Sequence, residues 1–159
     1  MKRDLLPVLN EKGIGLVVVG IGSVDSGRVF SKETGFPPDK LLVDESEKTL
    51  AYQTLGTRNS QRDAVSGKQK FEGIGSMWSS ATTDAIKERG RDDLNSITGN
   101  IFNPGPFKPM MPSSIEATLV QGGSFVFDGT TKTLLEHYDE SSGAHITIEE
   151  LLNVINAEY

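Results

Sequence analysis

LVVVGIGSVDSG, residues 16–27, decides between two folds. An apolar run leads into Gly20-Ile21-Gly22 and a polar turn, the order of a strand entering a phosphate-binding loop. Asp44 closes a second apolar run, LLVD, at about the spacing where a dinucleotide-binding fold places the acid that holds a ribose. Three features argue the other way. The third glycine of that fingerprint falls at residue 25, which is aspartate, and a carboxylate at a helix N-terminus repels the pyrophosphate the site must attract. The dinucleotide fold repeats strand-helix-strand, whereas this chain closes with a hairpin and a helix. A single GxG after a strand is also a weak signal. The residues read better as a tight strand-to-helix turn, with Asp25 complementing the helix dipole.

Outward from that stretch, the chain reads as alternating elements. Residues 4–12 form a short helix with Leu5, Leu6, Val8 and Leu9 apolar, Gly13 as its stop and Pro7 as a kink. Ile14 to Gly20 is a continuous apolar run, the pattern of a strand buried on both faces. Ser23 or Asp25 caps a helix carrying Val29 and Phe30, which Gly35 and Pro37-Pro38 end. Leu41 to Val43 is a second buried strand. Ser46 caps a third helix with Leu50, Ala51 and Leu55 on one face and Gly56 after it.

The middle differs. Residues 57–74 are polar and glycine-containing, the composition of a surface loop. A modest helix runs from Ser76 to Arg89 on Met77, Trp78, Ala81, Ala85 and Ile86. NPGPFKPMMP, residues 103–112, holds four of the seven prolines, so a regular helix or central strand is excluded there. An ordered loop pinned by Phe102, Phe107, Met110 and Met111 is expected. With Trp78, these side chains either cover the core or form a partner-docking patch, and core cover is the favoured reading.

Regular structure returns with Ser124–Phe127, the turn Asp128-Gly129-Thr130-Thr131, and a return strand over Thr133–Tyr138. Thr147 and Glu150 make a capping box for a last helix on Ile148, Leu151, Leu152 and Ile155. His137 and His145 flank Asp139 and Glu140. No helical i, i+4 histidine pair supports a metal, so none is expected, and Asp139 with Gly143 is read as shaping the turn while His145 bonds near the helix start. Asp63, Asp84, Asp92 and Asp93 read as solvated charges or caps.

The bulk properties narrow the function. The 159 residues suggest one domain, 1–159, with a loop-rich insertion at about 57–117. The formal net charge is −6 with scattered Lys and Arg, so nucleic acid is not an expected partner. No apolar run is long enough for a transmembrane helix. The chain has no cysteine, which removes disulfides, thiolate metal sites and thiol catalysis from these residues. No Ser/His/Asp triad is arguable, because both histidines lie in one C-terminal segment and no nucleophile elbow is present. The N-terminus lacks the apolar core of a signal peptide and is too short and acidic for an intact transit peptide.

Helix, strand, helix, strand, helix, insertion, hairpin, helix is a thioredoxin-like order without its first strand. Five motifs agree: GIGLVVVGIGS at 13–23, TGFP at 34–37, LLVDESEKTLAYQTLG at 41–56, QGGSFVFDG at 121–129 and HYDESSGAH at 137–145. With them the chain resembles the peroxiredoxin-like (AhpC/TSA-type) proteins, in particular the group of peroxiredoxin-like 2 and the plastid thioredoxin-like proteins. The resemblance implies an α/β fold with a mixed sheet flanked by helices. Members of the group carry a Cys-x-x-Cys or one peroxidatic cysteine just after the first strand. Here both would fall before Met1, so no catalytic residue carries over. Gln121, Gly122 and Gly123 match the segment that faces the thiol site and remain as a vestigial wall.

In that fold the absent strand is central, between the strand at 14–20 and the one at 124–127. Losing its ladder hydrogen bonds and buried side chains forfeits on the order of 10 kcal/mol, comparable to the stability of a whole domain. Three arrangements would resolve this. The chain is an N-terminally incomplete version of a longer protein (the first expectation), a partner supplies or shields the edge, or residues of this chain close the sheet. The functional expectation is a non-catalytic binding or accessory protein without cofactor. Its host would be a larger assembly in a plastid, conceivably a photosynthetic one; otherwise the protein would be cytoplasmic. The alternative is a thiol-dependent antioxidant or reductase whose cysteine lies upstream.

Overall fold

Leu5–Glu11 coils into helix α1 because Leu5, Leu6 and Leu9 share one face, and all three are buried. Pro7 falls in the first turn of the described helix, where a missing N–H breaks no hydrogen bond among the described residues. Gly13, at φ +69°, ends the helix. Its N–H donates to the Asn10 carbonyl and the Ile14 N–H to that of Leu9, at 3.2 and 2.8 Å. This is a Schellman closure, which sets Ile14 beside Leu9. The computed structural model describes residues 5–57, 61–62, 64–66, 69–70, 80, 84, 99–100, 103–104, 116–130, 132–140 and 145–158.

Strand β1 (Val18–Ile21) runs parallel to β2 (Leu41–Asp44), with Val18 opposite Leu41 and Ile21 opposite Asp44. Helix α2 (Val24–Thr34) makes the crossover. Ser23 is its cap, accepting from the Ser26 N–H at 3.1 Å, and Gly35 ends it at φ +64°. Gly27 lets α2 settle on the strands, since a Cβ there would lie 2.6 Å from Val43 Cγ2.

Two sequence expectations need correction here. The first strand begins at Val18, not Ile14. Ile14 and Leu16 are instead spent on the core beside α1, where the Gly13 closure directs them. Neither strand is buried on both faces: no residue of β1 is fully buried, Val17 just before it is 63% exposed, and Leu42 of β2 is 57% exposed. Helix α2 lies over the face of Val18, Gly20, Leu41 and Val43. Val17 and Leu42 belong to the opposite face of the pleat.

A turn at Asp44–Ser46 leads to helix α3 (Leu50–Thr54), which Gly56 closes at φ +71°. The stretch expected to be loop contains two antiparallel ladders of two residues per strand. These are β3 (Gln61–Arg62) with β4 (Gln69–Lys70), and β5 (Gly99–Asn100) with β6 (Asn103–Pro104). Of the helix expected at 76–89, Ser80 and Asp84 are described, and both are helical. A 3-10 turn at Glu116–Leu119 buries Ala117 and Leu119 where the chain rejoins the core.

Strand β7 (Gly123–Phe127) and β8 (Thr133–Tyr138) form the expected hairpin, with a register shift between Val126 and Phe127. Asp128 builds its turn by accepting from the Thr130 N–H and hydroxyl at 2.8 and 2.7 Å, and Gly129 takes φ +83°. Helix α4 (Ile148–Glu158) begins with the expected capping box. Glu150 accepts from the Thr147 N–H at 2.9 Å, and the Glu150 N–H donates back to the Thr147 hydroxyl at 3.1 Å.

The core is shared by both termini: Leu5 and Leu9 of α1, Val126 of β7, and Leu151 and Ile155 of α4. Parallel and antiparallel pairing are thus both present. Among the described residues, however, β1–β2 and β7–β8 are separate two-stranded sheets with no ladder joining them.

Candidate functional site

The turn after β2 answers the dinucleotide question. Asp44 faces α3, not an empty crevice: its carboxylate accepts from the Ser46 N–H at 2.9 Å, the Ser46 hydroxyl, and the Ala51 N–H at 2.8 Å. The Ser46 hydroxyl oxygen in turn accepts from the Leu50 N–H at 2.8 Å. The expectation that Ser46 caps this helix is corrected: Thr49 is the N-cap and makes no side-chain cap bond, and Ser46 and Asp44 satisfy the Leu50 and Ala51 amides from the preceding turn. The Ser46 hydroxyl first, and the Ala51 and Ser46 amides with it, hold the Asp44 carboxyl below its ordinary range. Glu45 reaches across and accepts from the Val24 N–H at 2.9 Å, at the start of α2. Both acids that a ribose or phosphate would need or avoid are therefore engaged in capping helices, and the N-terminus of α2 already holds a carboxylate. Asp25 pairs with Arg28 at 2.9 Å on the exposed surface.

Tyr52 of α3 reaches the backbone of β1. Gly22 N–H donates to the Asp44 carbonyl at 3.2 Å, so the peptide groups of Gly22 and Gly20 face β2. Those of Val19 and Ile21 therefore face the opposite edge of β1. There the Val19 carbonyl accepts from the Tyr52 hydroxyl at 2.7 Å. Burial, and then the charges of Asp44 and Asp139, push the Tyr52 phenol above its ordinary range.

Asp139, just past β8, is the most deeply buried polar side chain described, at 1% exposure. Its N–H donates to the Gly122 carbonyl at 3.1 Å. His145 Nδ1 and Asp139 Oδ2 share a hydrogen bond. His137 Nε2 lies 3.4 Å from the other oxygen, an ion-pair contact without hydrogen-bond geometry. The expectation that Asp139 merely shapes a turn is corrected: it is the hub on which both histidines converge. A signal was present in the sequence. Residues i and i+2 share a face at the end of a strand, which sets His137 beside Asp139. Gly143 lies outside the described residues.

Of the expected wall Gln121, Gly122 and Gly123, the two glycines pack on this hub. Gln121 is buried. A Cβ on Gly122 would sit 2.7 Å from Asp139 Oδ2, and one on Gly123 2.8 Å from the His137 carbonyl oxygen. The glycine pair is therefore required by the close approach of β7 to the end of β8. Trp78, Phe102, Phe107, Met110 and Met111 lie outside the described residues. Among the described residues no group of three or more His, Cys, Asp or Glu has the arrangement to hold a metal ion. No helix among them is long and apolar enough to cross a membrane.

A parallel β-α-β unit, an antiparallel hairpin and a closing helix that packs on the first helix define a thioredoxin-like α/β protein. The sequence profile of the AhpC/TSA antioxidant enzymes matches residues 2–141, and the chain belongs to that family. No curated protein and no solved structure matches it.

Proposed function

We propose that these 159 residues act by binding, as a non-catalytic accessory member of the AhpC/TSA family within a larger assembly. The observation that carries the reading is the absence of any cysteine from a chain of a thiol-enzyme family. The thiolate is the nucleophile in such chemistry, and no other side chain replaces it in peroxide or disulfide reduction. Two further observations support it. The described sheets are separate, and the outer edge of β1 carries no backbone ladder among the described residues; the Tyr52 hydroxyl on the Val19 carbonyl is the bond an incoming strand would displace. A strand supplied to that edge would bind through main-chain hydrogen bonds. Resemblance to plastid thioredoxin-like proteins favours a plastid host, including a photosynthetic complex, as the assembly.

The family match favours one second reading: a thiol-dependent antioxidant or reductase whose cysteine lies outside these residues. One measurement separates the two. The protein is isolated from its native source, and its intact mass is taken before and after alkylation. A mass near 17.2 kDa that alkylation leaves unchanged supports binding. A heavier species that gains alkyl groups overturns it in favour of the thiol enzyme. Co-purification at a fixed stoichiometry with plastid partners would support the assembly, and a lone monomer in the native extract would remove it.

A further inference from the structure

The glycine that opened the dinucleotide question has a second use. Gly20 is mid-strand, and its φ lies outside the left-handed region, so backbone conformation does not demand glycine. Close packing does not demand it either: a Cβ built at Gly20 meets no heavy atom within 4 Å. It forms the floor of a cleft of about 200 Å³ between α2 and the β1–β2 pair. Seven residues along the chain, Gly27 shows the opposite behaviour and brings α2 down on Val43, which closes one end. Val18, Val43 and Phe30 make the walls apolar, and Ser23 and Ser26 stand at the polar end. The two hydroxyls are 2.9 Å apart. One hydroxyl proton serves that mutual bond, which leaves the other for a guest.

We infer that this cleft is a binding site for a free, single-ring phenol. Three properties select that class. The volume is below that of drug-sized sites at about 300–1,000 Å³. It exceeds the cavity of about 150 Å³ known to take a benzene ring. Phe30 is the one aromatic side chain that lines the cleft, and aromatic pairs add attraction beyond the area they bury. The hydroxyl pair lies at one end only, so a ring with a single polar substituent is matched, with the substituent toward Ser23 and Ser26. The inference is independent of the proposed accessory role, since no residue of the Asp139 hub or of the outer β1 edge takes part.

The test uses the full chain, with phenol and toluene as probes, in ligand-observed NMR and thermal unfolding. Saturating phenol is expected to raise Tm by about 2–4 °C. Toluene should bind several-fold more weakly. Gly20→Val fills the floor with a strand-favouring side chain and should abolish the response to both probes. Ser26→Ala leaves the Ser23 cap and the Ser26 N–H in place, and should reduce phenol binding to the level of toluene. No saturable response in the unmodified chain overturns the inference. So does an undiminished response in Gly20→Val. Should that variant not fold, an unchanged phenol preference in Ser26→Ala overturns it alone.

Discussion

The two halves of the molecule contrast in how they use apolar residues. The half built from α1, the β7–β8 hairpin and α4 gathers Leu5, Leu9, Val126, Leu151 and Ile155 into one buried cluster. The β1–α2–β2 half has a β-branched sequence of equal promise, yet α2 buries no residue fully and Val17 and Leu42 remain more than half exposed. Composition does not explain the difference. In the first half two helices from opposite ends of the chain close on the same hairpin. In the second, one helix covers one face of a two-stranded sheet, and a two-stranded unit is marginal by itself. Stability is therefore concentrated at the termini, and the β1–β2 half is the region with capacity to respond to a ligand or partner.

The largest expected effect tests that contrast directly. Leu9→Ala or Ile155→Ala should lower unfolding stability by about 2–5 kcal/mol, because each removes a side chain that is 3% exposed. Leu42→Ser should change it by no more than about 0.5 kcal/mol, as expected of a surface substitution. Urea unfolding of the three variants decides the matter. Comparable losses for Leu42→Ser and Leu9→Ala would break the comparison and place Leu42 under cover.

The next effect belongs to the hub that ties β8 to the start of α4. Asp139→Asn keeps the shape but replaces one of the two carboxyl oxygens that face His145 and His137 with an amide nitrogen. A loss of about 1–3 kcal/mol is expected, from weakened hydrogen bonds to a buried group. The change should be accompanied by altered imidazole NMR shifts at both histidines. A loss with unmoved histidine signals would mean that the histidines do not depend on the carboxylate and that its packing against Gly122 carries the effect.

What the sequence revealed follows the range of the interactions involved. The return strand Thr133–Tyr138 and the Thr147–Glu150 capping box emerge at the expected residues, because each depends on neighbours within a few positions. Ser23 as a cap and Gly35 as a stop are local in the same way. The half-exposure of Val17 and Leu42 was hidden, because β-branched runs report propensity and say nothing of which elements lie over them. Asp139 was legible only in its i, i+2 relation to His137, and its place as a hub was hidden for a related reason. Its partners are at Gly122, His137 and His145, and only the hairpin register brings the first within reach of the others. The Gly122-Gly123 pair was legible as a motif, but its cause, contact with Asp139 and the His137 backbone, required the fold.

The smallest expected effect is a pH dependence carried by titrating groups of the β1–β2 half. The Asp44 carboxyl lies below its ordinary value of 3.8 in the folded chain, so its contribution is present above that value and lost as pH falls through the folded one. The stability gap between the unmodified chain and Asp44→Ala should therefore be constant near neutrality and close below about pH 4. Tyr52 runs in the opposite sense. Its phenol is raised above 10.0, so the contribution is complete below that pH and fades as pH rises through the folded value. Tyr52→Phe removes both the hydroxyl bond to Val19 and the titration. Its deficit relative to the unmodified chain should shrink above about pH 10. Both groups touch the β1–β2 half, and neither touches the α1–α4 cluster. Amide exchange in β1 and α3 should accordingly follow these pH changes, while the amides of Leu151 and Ile155 hold their protection. Equal loss of protection in both halves would mean that the molecule opens as one unit, and that the contrast in packing does not extend to its dynamics.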